Sequence, residues 1–277
     1  MIPPKKGASI ASGSATILPR YEDITQDGRL QLTALMPGLG AAAWYALQKD
    51  VPAVESFAKQ GIVPILRRLV IVAEGGPFSV YGPIDVEGHA ELAREKGGDR
   101  LFVNMWADAR APIGTTFGAR PSPDAERVPA GRVFAEHVIT KPFAPKEERK
   151  VTSLAHPSIK APHHEHAYEA TEHLIDGVQL TIANVVEFGM MHTDSSQHVN
   201  SLVYPRMFEE AVHKHMGPAA KNLLARAVEL RWRKPFFTGD RATLRLAIVD
   251  GDLAYGSFTP VGGDEHRPSC TIKMKMG

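Results

Sequence analysis

Hydrophobic and polar positions alternate along most of this chain, and the alternation is interrupted twice by a longer, helical spacing. In the second half, Val178 to Phe188 alternates as a strand does. From Gln197 to His215 the apolar residues Val199, Leu202, Val203, Met207, Ala211 and Val212 recur at helical spacing. Four short period-2 runs follow, at 227–233, 242–249, 253–258 and 269–276, separated by Thr-Gly-Asp, Asp-Gly-Asp and Gly-Gly-Asp turns. The pattern predicts a strand, a long helix and then an antiparallel meander.

The first half reads the same way. A run at 29–35 comes first, then a helix expected from Leu39 to about Phe57, then strands at 68–72, 84–88, 101–107 and 132–139. Placing Pro77-Phe78 on Pro235-Phe236 gives an offset of 158 (235 − 77) and sets Leu66 on Leu224, Arg68 on Arg226, Val70 on Val228 and Val86 on Leu244. The expectation is an ancient duplication. Between the halves, 141–173 is rich in proline and charge and poor in large apolar residues, as linkers are. The expected organisation is a loose arm at 1–20, a first unit at 21–145, a linker at 146–173 and a second unit at 174–277. Each unit is an antiparallel sheet wrapping one long helix, an α+β architecture.

Composition narrows the function more than the fold. With 277 residues, 43% hydrophobic and 23% charged, the chain is an ordinary globular one. A formal net charge of +1 provides no overall field for nucleic acid or an anionic membrane. The single cysteine, Cys270, excludes an internal disulfide and any multi-cysteine zinc site, and suits a reducing, cytoplasmic setting. The N-terminal stretch is too small and polar for a secretory signal, and Arg67, Arg68 and Glu74 bracket the apolar 69–73, so no membrane span is expected.

The chemistry concentrates at 192–210. Asp194, Ser195 and Ser196 are good N-cap residues where the expected helix begins, and His198 would fall in its first turn. An acid, an imidazole and free backbone donors at a helix N-terminus are what acyl transfer uses: a base for water and donors for the oxyanion. Taken alone, such an aspartate more often only caps a helix beside a surface histidine. The longer string, Asp194, His198, Val199, Asn200, Tyr204 and Glu210, resembles the signature of hot-dog-fold acyl-thioester hydrolases, particularly the acyl-ACP thioesterases.

That resemblance implies a tandem, double hot-dog fold and hydrolysis of a thioester of coenzyme A or acyl carrier protein, without metal or redox cofactor. It implies Asp194, His198, Ser196 and Asn200 as catalytic residues, with Tyr204 and Glu210 at the substrate; Ser196 stands where the acyl-ACP members carry Asn. At the offset of 158 the first-half counterparts of Asp194, Ser196 and His198 are Met36, Gly38 and Gly40, so one active site per chain is expected. A homodimer of double hot-dog chains is a further expectation. A dehydratase or hydratase on a 3-hydroxyacyl chain, a polyketide-type acyltransferase/decarboxylase, and a non-catalytic acyl-binding module are the alternatives.

Arg231 and Arg233, on one face of a strand with Trp232 on the other, form with Lys234 and Arg206 a candidate landing patch for coenzyme A or phosphopantetheine phosphates. Adjacent ligands such as His163, His164 and His166 rarely converge on one metal, and His213 and His215 suit a helix C-terminus better than a metal. Pro205 predicts a kink or break near Tyr204.

Overall fold

The computed structural model describes residues 1–115, 118–154, 164–166, 169–220 and 223–277. The chain divides into two compact units, 2–168 and 169–277.

In the first unit the strands are β1 (Ala11–Ile17), β2 (Val63–Ala73), β3 (Ile84–Glu95), β4 (Leu101–Pro112), β5 (Arg127–Thr140) and the short β6 (His164–His166). They lie in the order β1-β3-β4-β5-β2, all antiparallel, with β6 running parallel to the end of β3. A helical run at 36–50, α1, crosses the sheet; its middle, Leu39–Trp44, is wound as a wider π-helix. A second helix, α2 (Ala53–Lys59), follows.

The second unit contains β7 (Thr181–Glu187), α3 (Val203–Met216), β8 (Ala225–Trp232), β9 (Arg241–Val249), β10 (Leu253–Pro260) and β11 (Cys270–Met276). Its strand order, β7-β9-β10-β11-β8, repeats that of the first unit strand for strand. Alternation decides the faces: on β9, Ala242, Leu244 and Leu246 are buried beneath α3, whose Tyr204, Phe208, Ala211 and Val212 meet them. Gly256 on β10 leaves room for the Phe208 ring, because a Cβ there would lie 2.2 Å from Phe208 Cε2.

Several boundaries differ from the expectation. The arm at 1–20 contains β1, and 29–35 is not a strand but leads into a turn at Leu32–Leu35. β1 has no apolar alternation because it is built largely of Ala, Ser and Gly; a Cβ on Gly13 would lie 2.8 Å from the Ala42 carbonyl of α1, so close helix packing requires small residues there. The expected helix 39–57 is two helices, separated at Val51-Pro52, where proline disfavours helical geometry in the residue before it. The expected helix 197–215 starts only at Val203. Pro205 neither kinks nor breaks it, because it sits in the first turn, where backbone N–H groups have no partner within the helix.

The offset between the halves is not constant. Val86 faces Ala15 while Leu244 faces Asn184, so β1 and β7 correspond at 169 (184 − 15), whereas β3 and β9 correspond at 158. The extra residues of the first unit are accounted for by α2, which has no helical counterpart of that length after α3. Beyond β3 the offset falls again, since Val86 faces Ala109 and Leu244 faces Phe258, a separation of 149 (258 − 109).

Candidate active site

The residues around Asp194 form a tight turn rather than a helix start. Thr193 and Val199 are bridged across it, the Asp194 N–H donates to the His198 carbonyl at 3.0 Å, and the Gln197 N–H donates to the Asp194 carbonyl at 2.9 Å. Gln197 closes the turn at φ +63. The Asp194 carboxylate accepts from the Ser196 N–H at 2.9 Å and from Asn200 Nδ2 at 3.4 Å. Asn200 is fixed in turn, since its Oδ1 accepts from the Leu202 N–H at 2.9 Å and its carbonyl from the Val203 N–H at 3.0 Å. Thus Asn200, not Asp194, caps the approach to α3.

Asp194, Ser196 and His198 are solvent-exposed and Asn200 is half-buried. The His198 ring meets Phe237 edge-on, with centroids 5.1 Å apart, and the two residues are also bridged through their backbones. Phe237 is held by the turn that follows β8: its N–H donates to Asp240 Oδ2 at 2.8 Å. On the near side, Met190 and Met191 lie in the short helical turn just before Thr193 and are 78% and 95% exposed. An exposed acid and imidazole are therefore flanked by exposed apolar side chains, an arrangement suited to an acyl substrate. Sequence reasoning missed Phe237; only the fold brings the 236–240 turn against His198.

The structure changes the reading of the helix N-terminus, Tyr204 and Arg231 and locates the remaining candidates. The N-terminus of α3 begins nine residues after Asp194, so its free N–H groups do not gather at the Asp194 and Ser196 side chains, and His198 is not in its first turn. Tyr204 is 1% exposed, surrounded by Phe188, Trp232, Phe236 and Phe258, and burial pushes its phenol upward; it belongs to the core rather than to a substrate surface. Glu210 is exposed on α3 and pairs with Lys214 at 2.7 Å, while Arg206 is exposed near the start of the same helix. Arg231 is buried and bound to Glu229 and Glu169, so it is not an open phosphate patch, and Arg233 donates to the carbonyls of Arg267 and Pro268.

Among the described residues no group of three His, Cys, Asp or Glu side chains gathers as metal ligands. His163 lies outside the described residues, and His166 is buried against Glu136 at 2.5 Å. Burial pushes the Cys270 thiol upward, away from a thiolate nucleophile.

The same turn exists in the first unit, but not where an offset of 158 places it. There the Thr25 N–H donates to the Arg29 carbonyl, the Gly28 N–H to the Thr25 carbonyl, and Ile24 is bridged to Leu30, each 169 residues before its counterpart. Asp194, Ser196, His198 and Asn200 correspond to Thr25, Asp27, Arg29 and Gln31, not to the helix residues Met36, Gly38 and Gly40. Arg29 occupies the place of His198 and is locked onto Asp27, with Nε to Oδ2 at 2.7 Å. Burial alone would raise the Asp27 carboxyl, but hydrogen bonds from Thr25 and Arg29 outweigh it and hold it below its usual range.

No family model and no curated protein sequence matches the chain. Solved structures do. An acyl-ACP thioesterase from Bacteroides thetaiotaomicron superposes with a TM-score of 0.62 at 13% identity, over 96% of this chain and 98% of that one. A 12:0-ACP thioesterase from Umbellularia californica gives a TM-score of 0.59 at 14% identity, over 96% and 97%. The chain has the double hot-dog fold of these thioesterases. At this identity the likeness is one of fold, and the chemistry has to be argued from the Asp194 turn. No helix among the described residues is long and apolar enough to cross a membrane.

Proposed function

We propose that the protein hydrolyses an acyl thioester of coenzyme A or acyl carrier protein at a single site in its second unit. The observation that carries this reading is the Asp194 carboxylate, held by the Ser196 N–H and Asn200 Nδ2 in a solvent-open turn whose other end is His198. Asp194 accepts the proton of the attacking water. The oxygen attacks the acyl carbonyl, the Ser196 hydroxyl faces the developing oxyanion, and His198 delivers a proton to the departing sulfur, leaving acid and thiol. Phe237 and the exposed Met190 and Met191 offer apolar contact to the acyl chain. The first unit has Thr25 in place of Asp194 and Arg29 in place of His198, and its one carboxylate at the equivalent turn, Asp27, is tied to Arg29.

The test is a panel of acyl-CoA and acyl carrier protein thioesters with detection of free thiol. His198→Ala or Asp194→Asn is expected to lower turnover by about 10² to 10³. Because both side chains are exposed, melting temperature should barely move. Turnover that survives both changes would overturn the assignment. Mass spectrometry of the acylated carrier distinguishes hydrolysis from dehydration, decarboxylation or acyl transfer.

A further inference from the structure

A second candidate site lies on the opposite, polar face of the second unit's sheet. The segment before β7 is fastened there at its start: Arg231 pairs with Glu169, and Thr271 Oγ1 donates to the Thr171 carbonyl at 2.7 Å. It then lifts away, turns at Gly177 (φ +74) and rejoins the sheet at Thr181. Beneath it is a cavity of about 470 Å³, within the range of small-molecule sites.

The cavity floor is a cross-strand pair, Arg245 on β9 opposite Ser257 on β10. Ser257 is 1% exposed and lies directly opposite Arg245 at this floor. Arg245 reaches Glu265 at 3.0 Å, but Glu265 is more than half exposed, so that ion pair is weakly held.

The first unit shows what occupies this place when the chain fills it. Glu87 and Asp108, the register equivalents of Arg245 and Ser257, face each other on β3 and β4. The N-terminal arm reaches Asp108 through Lys6, and its Pro4 carbonyl accepts from Trp106 Nε1 at 2.9 Å, while Glu87 stays exposed. The charge at the equivalent place in the second unit is reversed.

We propose that the cavity binds a small zwitterion, an α-amino acid with an apolar side chain, whose carboxylate takes the place of Glu265 on Arg245 and Ser257. Three carboxylates line the cavity, Glu172, Asp176 and Glu265, against one arginine. A simple anion meets the carboxylates and a simple cation meets the arginine, whereas an amino acid satisfies both, with its ammonium toward Glu172 and Asp176. A planar guanidinium is suited to a bidentate carboxylate. Ile175, Val178 and Leu180 provide apolar wall for the side chain.

Calorimetric titration of the full chain with leucine, phenylalanine, 4-methylpentanoate, isopentylamine and inorganic phosphate tests this. Leucine or phenylalanine should bind saturably, and the two leucine analogues lacking one charge at least about tenfold more weakly. Arg245→Met should weaken amino-acid binding at least about tenfold and Ser257→Ala severalfold, with circular dichroism unchanged. Should Arg245→Met fail to fold, Glu265→Gln serves instead, since freeing the guanidinium should tighten binding. No binding by either amino acid, phosphate or 4-methylpentanoate binding as well as leucine, or affinity indifferent to Arg245 and Glu265, would overturn the proposal. Because binding is read directly, the outcome is independent of thioester hydrolysis.

Discussion

Gln197 and Gly28 occupy the same position in equivalent turns of the two units, both with positive φ, +63 and +81. The first unit uses the residue that tolerates this geometry and the second does not, so the Asp194 turn stores backbone strain beside the candidate chemistry.

Replacing Gln197 with glycine should therefore stabilise the protein by about 1 kcal/mol. Gly28→Ala should do the opposite, at a cost of about 2 kcal/mol or more, because its Cβ would lie 2.5 Å from Pro77 Cβ as well as demanding positive φ. Urea unfolding of both variants measures the two effects, and a Gln197→Gly variant less stable than the parent contradicts the strain.

Asn200 is expected to matter twice. Asn200→Ala removes both the acceptor for the Leu202 N–H and the donor to Asp194, so it should cost about 1 kcal/mol and lower thiol release. Asn200→Asp keeps the acceptor but sets a second carboxylate beside Asp194. Its melting temperature should stay near that of the parent while its turnover falls, and parallel melts and assays separate the two roles.

Tyr204→Phe tests whether this tyrosine is core or substrate surface. Enclosed by aromatic rings, it should lose at most about 1.5 kcal/mol on losing the hydroxyl, with kcat/KM unchanged. A selective rise in KM would return Tyr204 to the substrate.

His137, on β5 against Trp44, is fully buried, and burial pushes its pKa down to about 4. The unfolded chain, with histidine near 6.5, then binds the extra proton between these values, so stability should be full above about 6.5 and decline as pH falls toward 4. The slope amounts to roughly 3 kcal/mol over that window. Denaturation curves from pH 7.5 to 4.5 on the parent and on His137→Phe should differ in this slope, and parallel curves would remove His137 as its source.

Much of the fold could be read directly. Strands such as β9 and β11 alternate strongly because one face is buried on α3 and the other is polar, and the Gly-Asp turns mark their ends. β1 could not, because close contact with α1 demands small residues and leaves no apolar alternation. The start of α3 lies later than the spacing predicts for another reason. Residues 197–202 have helical spacing, but Val199 N–H is claimed by the Phe236 carbonyl, a tertiary bond that holds the segment extended.

What the sequence by itself determined is local: two units with the same succession of strand, helix and meander, and one stretch, 194–200, in which an acid, an imidazole and an amide occur together. Spacing and side-chain chemistry are properties of neighbouring residues and survive without the fold. Only the tertiary structure decided that Thr25 to Gln31 is the counterpart of Asp194 to Asn200, because α2 shifts the numbering between equivalent positions, and backbone hydrogen bonds rather than residue identity reveal the match. It alone also decided that Tyr204 and Arg231 are buried and that Phe237 touches His198. Those facts depend on which distant segments the sheet register brings together.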